Sequence, residues 1–173
     1  MERSPHADRF AEIIGAANVL TDPADQAPYL TEWRDLYQGV TPMVLRPGNT
    51  AEVGAVMAYA YENGLKIVPQ GGNTGLVGGQ IPQETGDEIV LSLSRLNKIR
   101  AVDPAGFTLI AEAGVVLETL QNEAEKVDRL FPLALGAPTA TPATSFSGLK
   151  WCCRRGRSGT ASGRCARTIP VMI

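Results

Sequence analysis

The sequence predicts an α+β fold. Apolar residues recur with a helical period in some stretches and as short runs in others, and the two kinds alternate along the chain to about residue 130. A dense glycine cluster, residues 71–79, follows one of the short runs directly. Beyond Ala137 neither period persists.

Residues 5–20 carry Phe10, Ile13, Ile14 and Ala17 at helical spacing and are expected to form one amphipathic helix. Residues 21–41 hold Pro23, Pro28 and Gly39 and read as turn-rich. Within them Trp33 and Tyr37 stand four apart, the spacing of a helical aromatic pair that packs. A strand is expected around 43–46, stopping at Pro47.

Asn49 is placed to cap a helix over 50–63, with Glu52 three residues on in a capping-box relation. Val53, Val56, Met57 and Ala60 would form its apolar face, and Asn63-Gly64 supplies a left-handed stop. Further strands are expected at 66–69, 89–93 and 108–112, and a helix over 116–127 with Leu117, Leu120 and Ala124 on one face. The strand–helix–strand unit from 43 to 69 has the length of a parallel crossover. The expected organisation is a helical extension over 1–40, a domain over 41–137 on which both later helices pack, and a tail over 138–173.

Composition narrows the function classes. The 173 residues are 44% hydrophobic and 20% charged, with a net charge of −2, values of a globular protein rather than a nucleic-acid binder. No apolar run approaches the roughly 20 residues of a membrane span. The start, MERSPHADRF, has no apolar signal core, so a cytoplasmic protein is expected. The charge is unevenly spread: from Arg129 onward there are seven Lys or Arg residues and no acid. All three cysteines, Cys152, Cys153 and Cys165, lie in that tail.

The segment richest in chemistry is Pro69-Gln70-Gly71-Gly72-Asn73-Thr74-Gly75-Leu76-Val77-Gly78-Gly79. Glycines allow positive φ and close approach of main chain to a ligand. Successive N–H groups can then converge on an anion such as a pyrophosphate, and Asn73 and Thr74 could add side-chain donors. The loop is not a P-loop, since no Gly-Lys-Ser/Thr follows, and it opens no obvious helix as a nicotinamide-binding fold requires. Its alternative reading is a tight surface turn.

The stretches VLRPGNTAEVGAVMAYAYENGLKIVPQGGNTGLVGG, IVLSLSRLNKIRAVD, AEAGVVLETLQNEA and FPLALGA follow one another between Val44 and Ala137. In order and spacing this segment resembles the FAD-binding domain shared by D-lactate, glycolate and D-2-hydroxyglutarate dehydrogenases, and more distantly by vanillyl-alcohol oxidase. The resemblance implies the N-terminal subdomain of that fold, with the second subdomain missing, and FAD as cofactor. Pro69 and Gln70 would lead into a loop in which Gly71, Gly72, Asn73, Thr74 and Gly75 hold the pyrophosphate. Leu76, Gly78 and Gly79 would continue the wall, and Pro132, Leu135 and Gly136 would lie along the FAD.

The reaction implied is oxidation of a small-molecule D-2-hydroxy acid to a 2-oxo acid by hydride transfer to flavin. Two departures qualify it. The family's second glycine-rich stretch and its C-terminal domain, with the substrate-binding Arg, the histidines and, in some members, a metal site, are not read here. This chain is therefore expected to be a fragment inactive alone, with no catalytic residue and no metal ligand assigned. The alternative is a stand-alone nucleotide-binding module without redox activity.

The tail has a reading of its own. Trp is TGG and Cys is TGY, so Lys150-Trp151-Cys152-Cys153 read one base earlier gives Met or Val, then Val, then Leu. Continued in that frame, the tail resembles the family sequence that follows the second FAD loop. Residues from about Pro138 onward are thus expected to be frameshifted, and disordered as written. A basic nucleic-acid-binding tail lacks interleaved aromatics, and the cysteines lack zinc spacing. Of the remaining candidates, Asp103 before Pro104 reads as a turn residue rather than a base, and Glu112 as a strand-end residue. His6, Arg34 and Arg46 read as ordinary surface residues.

Overall fold

The computed structural model describes residues 5–133 and 171–172. It divides into two compact units, Met1–Leu96 and Asn97–Ile173. The chain order is α1 (Pro5–Ile14), a 3-10 turn (Ala16–Asn18), β1 (Val19–Leu20), α2 (Pro23–Leu30), β2 (Val44–Leu45), α3 (Thr50–Glu62), β3 (Lys66–Gln70), β4 (Glu88–Ser92), β5 (Ile99–Asp103), β6 (Thr108–Ala111), α4 (Leu117–Glu125) and β7 (Val171–Met172).

In the first unit the sheet runs β1-β2-β4-β3. β2, β4 and β3 are mutually parallel, and β1 lies antiparallel on β2 with Val19 opposite Leu45. α3 carries the chain from β2 to β3, and β4 inserts between them. The capping prediction holds: Glu52 N–H donates to Asn49 Oδ1 at 2.9 Å, and Glu52 accepts from Gly48 N–H at 2.7 Å. Gly64 takes φ 63° and ends the helix. Val56 and Ala60 are buried, but Met57 is 44% exposed, so the apolar face is narrower than expected.

The first 40 residues differ from expectation. The helix stops at Ile14, because Gly15 takes φ 84°, and the chain then enters β1. The stretch read as turn-rich contains α2, capped by Asp22 accepting from Ala24 N–H at 2.8 Å, with Pro23 in its first turn. Pro28 lies inside this helix, so treating it as a breaker concealed the element. Residues read as an extension also build the core: Ala7, Phe10 and Ile14 pack with Met43, Leu45, Val56, Ile89 and Leu91. Phe10 meets Tyr59 edge to face at 5.2 Å. His6 is half-buried, with Nδ1 3.0 Å from the Tyr59 hydroxyl, rather than a free surface residue.

The second unit holds β5 and β6 as an antiparallel pair, with a register shift between Ile99 and Ala101. β5 was not expected, because its residues alternate weakly and are mostly exposed. β6 and α4, expected on the same sheet as β2–β4, belong here instead. Leu109, Ala111, Ala124 and Phe131 form the core of this unit. Asp103 is a turn residue as read: its Oδ1 accepts from Ala105 and Gly106 N–H at 3.0 and 2.9 Å. Val171–Met172 lie parallel to β6. The rest of the segment expected to be out of frame, with its cysteines, lies outside the described residues.

Phe10 is fully buried and Tyr61 is 89% exposed. Phe10→Ala should lower unfolding free energy by ~3–5 kcal/mol, and Tyr61→Ala should change it by less than about 0.5 kcal/mol. Urea denaturation followed by circular dichroism measures both.

Candidate functional site

β3 delivers the glycine-rich loop at the C-terminal edge of the parallel strands. Its last residue, Gln70, pairs with Ser92 in the register, and Leu93 N–H donates to Gln70 O at 2.8 Å. The Gln70 side chain is buried and turned into the protein. Its Nε2 donates to Tyr29 O at 2.9 Å and to Gln80 O at 3.0 Å, tying both ends of the loop to the C-terminal part of α2. Pro69 is exposed on β3.

The loop is stiffened by side chains from within and beside it. Asn73 adopts φ 54°, which asparagine tolerates, and its Nδ2 donates to Thr31 O at 2.8 Å. That donor, expected to reach a ligand, is spent inside the fold. Gln80 Nε2 donates to Gly75 O at 2.7 Å and to Asn73 Oδ1 at 3.2 Å. Gly78 takes φ 74°, and an added Cβ would lie 2.7 Å from the Tyr37 ring. The Trp33/Tyr37 helical pair is therefore not formed. Residues 32–37 are a turn in which the buried Glu32 carboxylate accepts from Arg34 and Leu36 N–H, each at 2.9 Å.

What the loop leaves over is main chain. Among the described residues, no N–H from Gly71 to Gly79 donates to a protein acceptor. Gly71, Gly72, Thr74, Gly75, Leu76 and Gly79 are exposed. Gly72 and Gly79 have neither positive φ nor crowding: a Cβ at Gly72 would meet only Thr74 Cγ2 at 3.8 Å, and one at Gly79 would meet nothing within 4 Å. The fold itself does not require glycine at these two positions. Glycine there leaves the main chain open to close approach, and a run of N–H groups unpaired among the described residues fits a phosphate-bearing group.

Tyr37, Gln80 and Glu32 were missed in the sequence. The only signal for Gln80 was its place directly after the glycine pair, and Glu32 and Tyr37 carried none. Pro132 is half-buried in the second unit. Leu135 and Gly136 lie outside the described residues. Glu112 is engaged structurally, accepting from Lys98 N–H at 3.1 Å and pairing with Arg100 at 3.1 Å. The Lys98 hydrogen bond, with help from Arg100, holds its carboxyl below the usual glutamate value. Among the described residues, no three His, Cys, Asp or Glu side chains gather to hold a metal, and no helix is long and apolar enough to cross a membrane.

Comparison with known proteins identifies the family. The family model for the FAD binding domain matches residues 41–166, which extends across the stretch expected to be out of frame. The chain is 39% identical over 128 residues to the mitochondrial D-2-hydroxyglutarate dehydrogenase of Arabidopsis thaliana, covering 74% of this chain and 22% of that protein. It is 42% identical over 128 residues to the Danio rerio protein of the same name, covering 74% and 24%. It thus spans about a quarter of the length of these relatives.

Among solved structures, 4-ethylphenol oxidase from Gulosibacter chungangensis superposes with TM-score 0.62 at 25% identity, covering 76% of this chain and 27% of that one. An alkyldihydroxyacetonephosphate synthase gives 0.66 at 18%, covering 76% and 26%, a likeness of fold. The expected cytoplasmic location is overturned, since both named relatives are mitochondrial proteins. Mitochondrial targeting segments are amphipathic and basic and need no apolar core, so the lack of one did not point to the cytoplasm.

Two outcomes follow from the geometry. Gly79→Ala should leave the melting temperature within about 2 °C, whereas Gly78→Ala should lower it through the strained φ and the Tyr37 contact. Because Glu112 titrates lower folded than unfolded, its stabilising contribution is complete at neutral pH. It should fade as pH falls below 4.5 through the folded value. Glu112→Gln should flatten that part of a stability-versus-pH curve.

Proposed function

Since the chain belongs to the FAD binding domain family, we propose that it supplies the pyrophosphate-binding loop of an FAD-dependent oxidoreductase acting on D-2-hydroxy acids. One observation carries this reading: the run of unspent N–H groups from Gly71 to Gly79, held at the C-terminal edge of a parallel sheet. The relatives named D-2-hydroxyglutarate dehydrogenase support the substrate class.

The chain's own residues bind and orient. Gly71, Gly72, Thr74, Gly75 and Gly79 present main-chain donors, while Leu76 and Gly78 continue the wall. Pro69 shapes the entry, and Gln70 and Asn73 act by holding the loop rather than by touching the cofactor with their side-chain nitrogens. Pro132, Leu135 and Gly136 would line the cofactor further along. Bound FAD supplies a two-electron acceptor for the hydride from C2 of the hydroxy acid, whose hydroxyl proton is lost as the 2-oxo acid forms. The described residues contain no group that we assign to substrate binding or proton transfer, so those roles fall to parts of the full-length relatives that this chain does not span.

Titration of the purified chain with FAD, followed by quenching of flavin fluorescence, tests the reading. Saturable binding is expected, weakened about tenfold or more in Gly72→Val and Gly79→Val, equivalent to ~1.4 kcal/mol or more. Uptake of other nucleotides with no uptake of FAD would sink it. In a full-length protein that contains this domain, D-2-hydroxy acids and not their L enantiomers should bleach the flavin absorbance without oxygen.

A further inference from the structure

We propose that Arg46 and Arg95 form an anion-recognition corner that supplies the formal positive charge opposite the FAD pyrophosphate. The inference rests on the FAD reading above and adds what the loop itself lacks. Residues 71–79 contain no Lys or Arg, and the side chains that brace them, Tyr37, Gln70, Asn73 and Gln80, are uncharged amides and a phenol. N–H dipoles alone would face a dianion.

Topology brings the two arginines to the same edge as the loop. β2 ends at Leu45, opposite Leu91 on β4, and Arg46 follows it. β4 ends at Ser92, opposite Gln70 on β3, and the chain turns there through Leu93 to Leu96, with Leu96 N–H donating to Leu93 O at 2.9 Å. All three strands are parallel, so Arg46, Arg95 and the glycine-rich loop follow the strands at the same end of the sheet. Arg46 and Gln70 flank β4 at about two strand spacings, roughly 10 Å between main chains.

Neither side chain is paired with an acid among the described residues. Arg95 Nη1 donates to Arg46 O at 2.6 Å, and its guanidinium lies over Gly48, where an added Cβ would sit 2.8 Å from Nη2. This uses one of the five donors of Arg95. Arg46 makes no hydrogen bond to a described residue through its side chain, and its Nε is buried with no partner. The ion pairs among the described residues involve Arg9, Lys66, Arg100 and Lys126 and leave both arginines aside. A buried donor with no protein acceptor is costly, and a bound anion is one group that can complete it. Guanidinium groups match phosphate oxygens in pairs.

The test uses the full 173-residue chain and its variants Arg46→Met, Arg95→Gln and Arg46→Lys. Thermal melts are recorded with and without FAD, and affinities are measured for FAD, for riboflavin, which carries no phosphate, and for inorganic pyrophosphate. Arg46→Met is expected to leave the unliganded melting temperature unchanged or raised. It should weaken FAD binding about tenfold or more and remove most of the FAD-induced melting shift. Riboflavin affinity should stay the same, and Arg46→Lys should recover part of the loss. Should Arg46→Met fail to fold, Arg95→Gln and Arg46→Lys read the same affinities.

A lowered unliganded melting temperature with an undiminished FAD shift would make Arg46 a purely structural residue and overturn the proposal. If the wild-type chain takes up pyrophosphate through these arginines and no FAD, the corner stands and the FAD reading fails. If FAD binds equally to all variants, the FAD reading stands and the corner fails.

Discussion

The buried amide of Gln70 governs the geometry of everything at the sheet edge. Its main-chain carbonyl receives Leu93 N–H, which closes the β3–β4 pairing. Its side chain reaches two carbonyls, one at the end of α2 and one just past the loop. One residue thus pins the start of the loop, the end of the loop and the helix beside it. Burying an amide in this way is favourable only when its donors are satisfied. A loop that moved would break both bonds at once. The loop's main-chain N–H groups, unpaired among the described residues, thus sit on a base held by the Gln70 side chain. That division of labour lets a flexible residue type build a stiff surface.

Much of the first unit was legible in the sequence because its signals are local. The Asn49 cap, the Gly64 stop and the run into the glycine cluster each depend on residues a few positions apart, and each is found where expected. The fold class and the FAD-binding resemblance rest on the order of such elements, and the family match agrees with both. The misreadings came from long-range facts. Pro28 sits inside a helix that its neighbours complete, and Val19–Leu20 become a strand only because β2 offers an edge. No local pattern says that β6 and α4 leave the first sheet and build a second core with β5.

The site divides in the same way. Glycine density marked the loop that we propose for the ligand. It did not say which of its glycines the fold itself needs. Gly78 is needed by the fold, under the Tyr37 ring at positive φ, while Gly72 and Gly79 are not. Asn73 looked like a ligand donor and is a brace, and Glu32, a buried carboxylate 41 positions earlier in the chain, shapes the turn that carries Tyr37. These roles depend on contacts of α2 and the 31–38 turn with the loop, which lies about 40 positions further along the chain.

β3, which delivers the loop, is also the outer strand of its sheet among the described residues. An outer strand offers unpaired main-chain groups on which a second molecule can build. Pro69 lies within β3 and lacks an N–H, and Lys66, exposed at its start, is paired with Asp87 at 2.5 Å. A proline and a charged side chain are the features that discourage edge-to-edge growth. The proline just before the loop thus also protects the sheet from self-templated stacking, and replacing it for the sake of the ligand would expose an aggregation-prone margin.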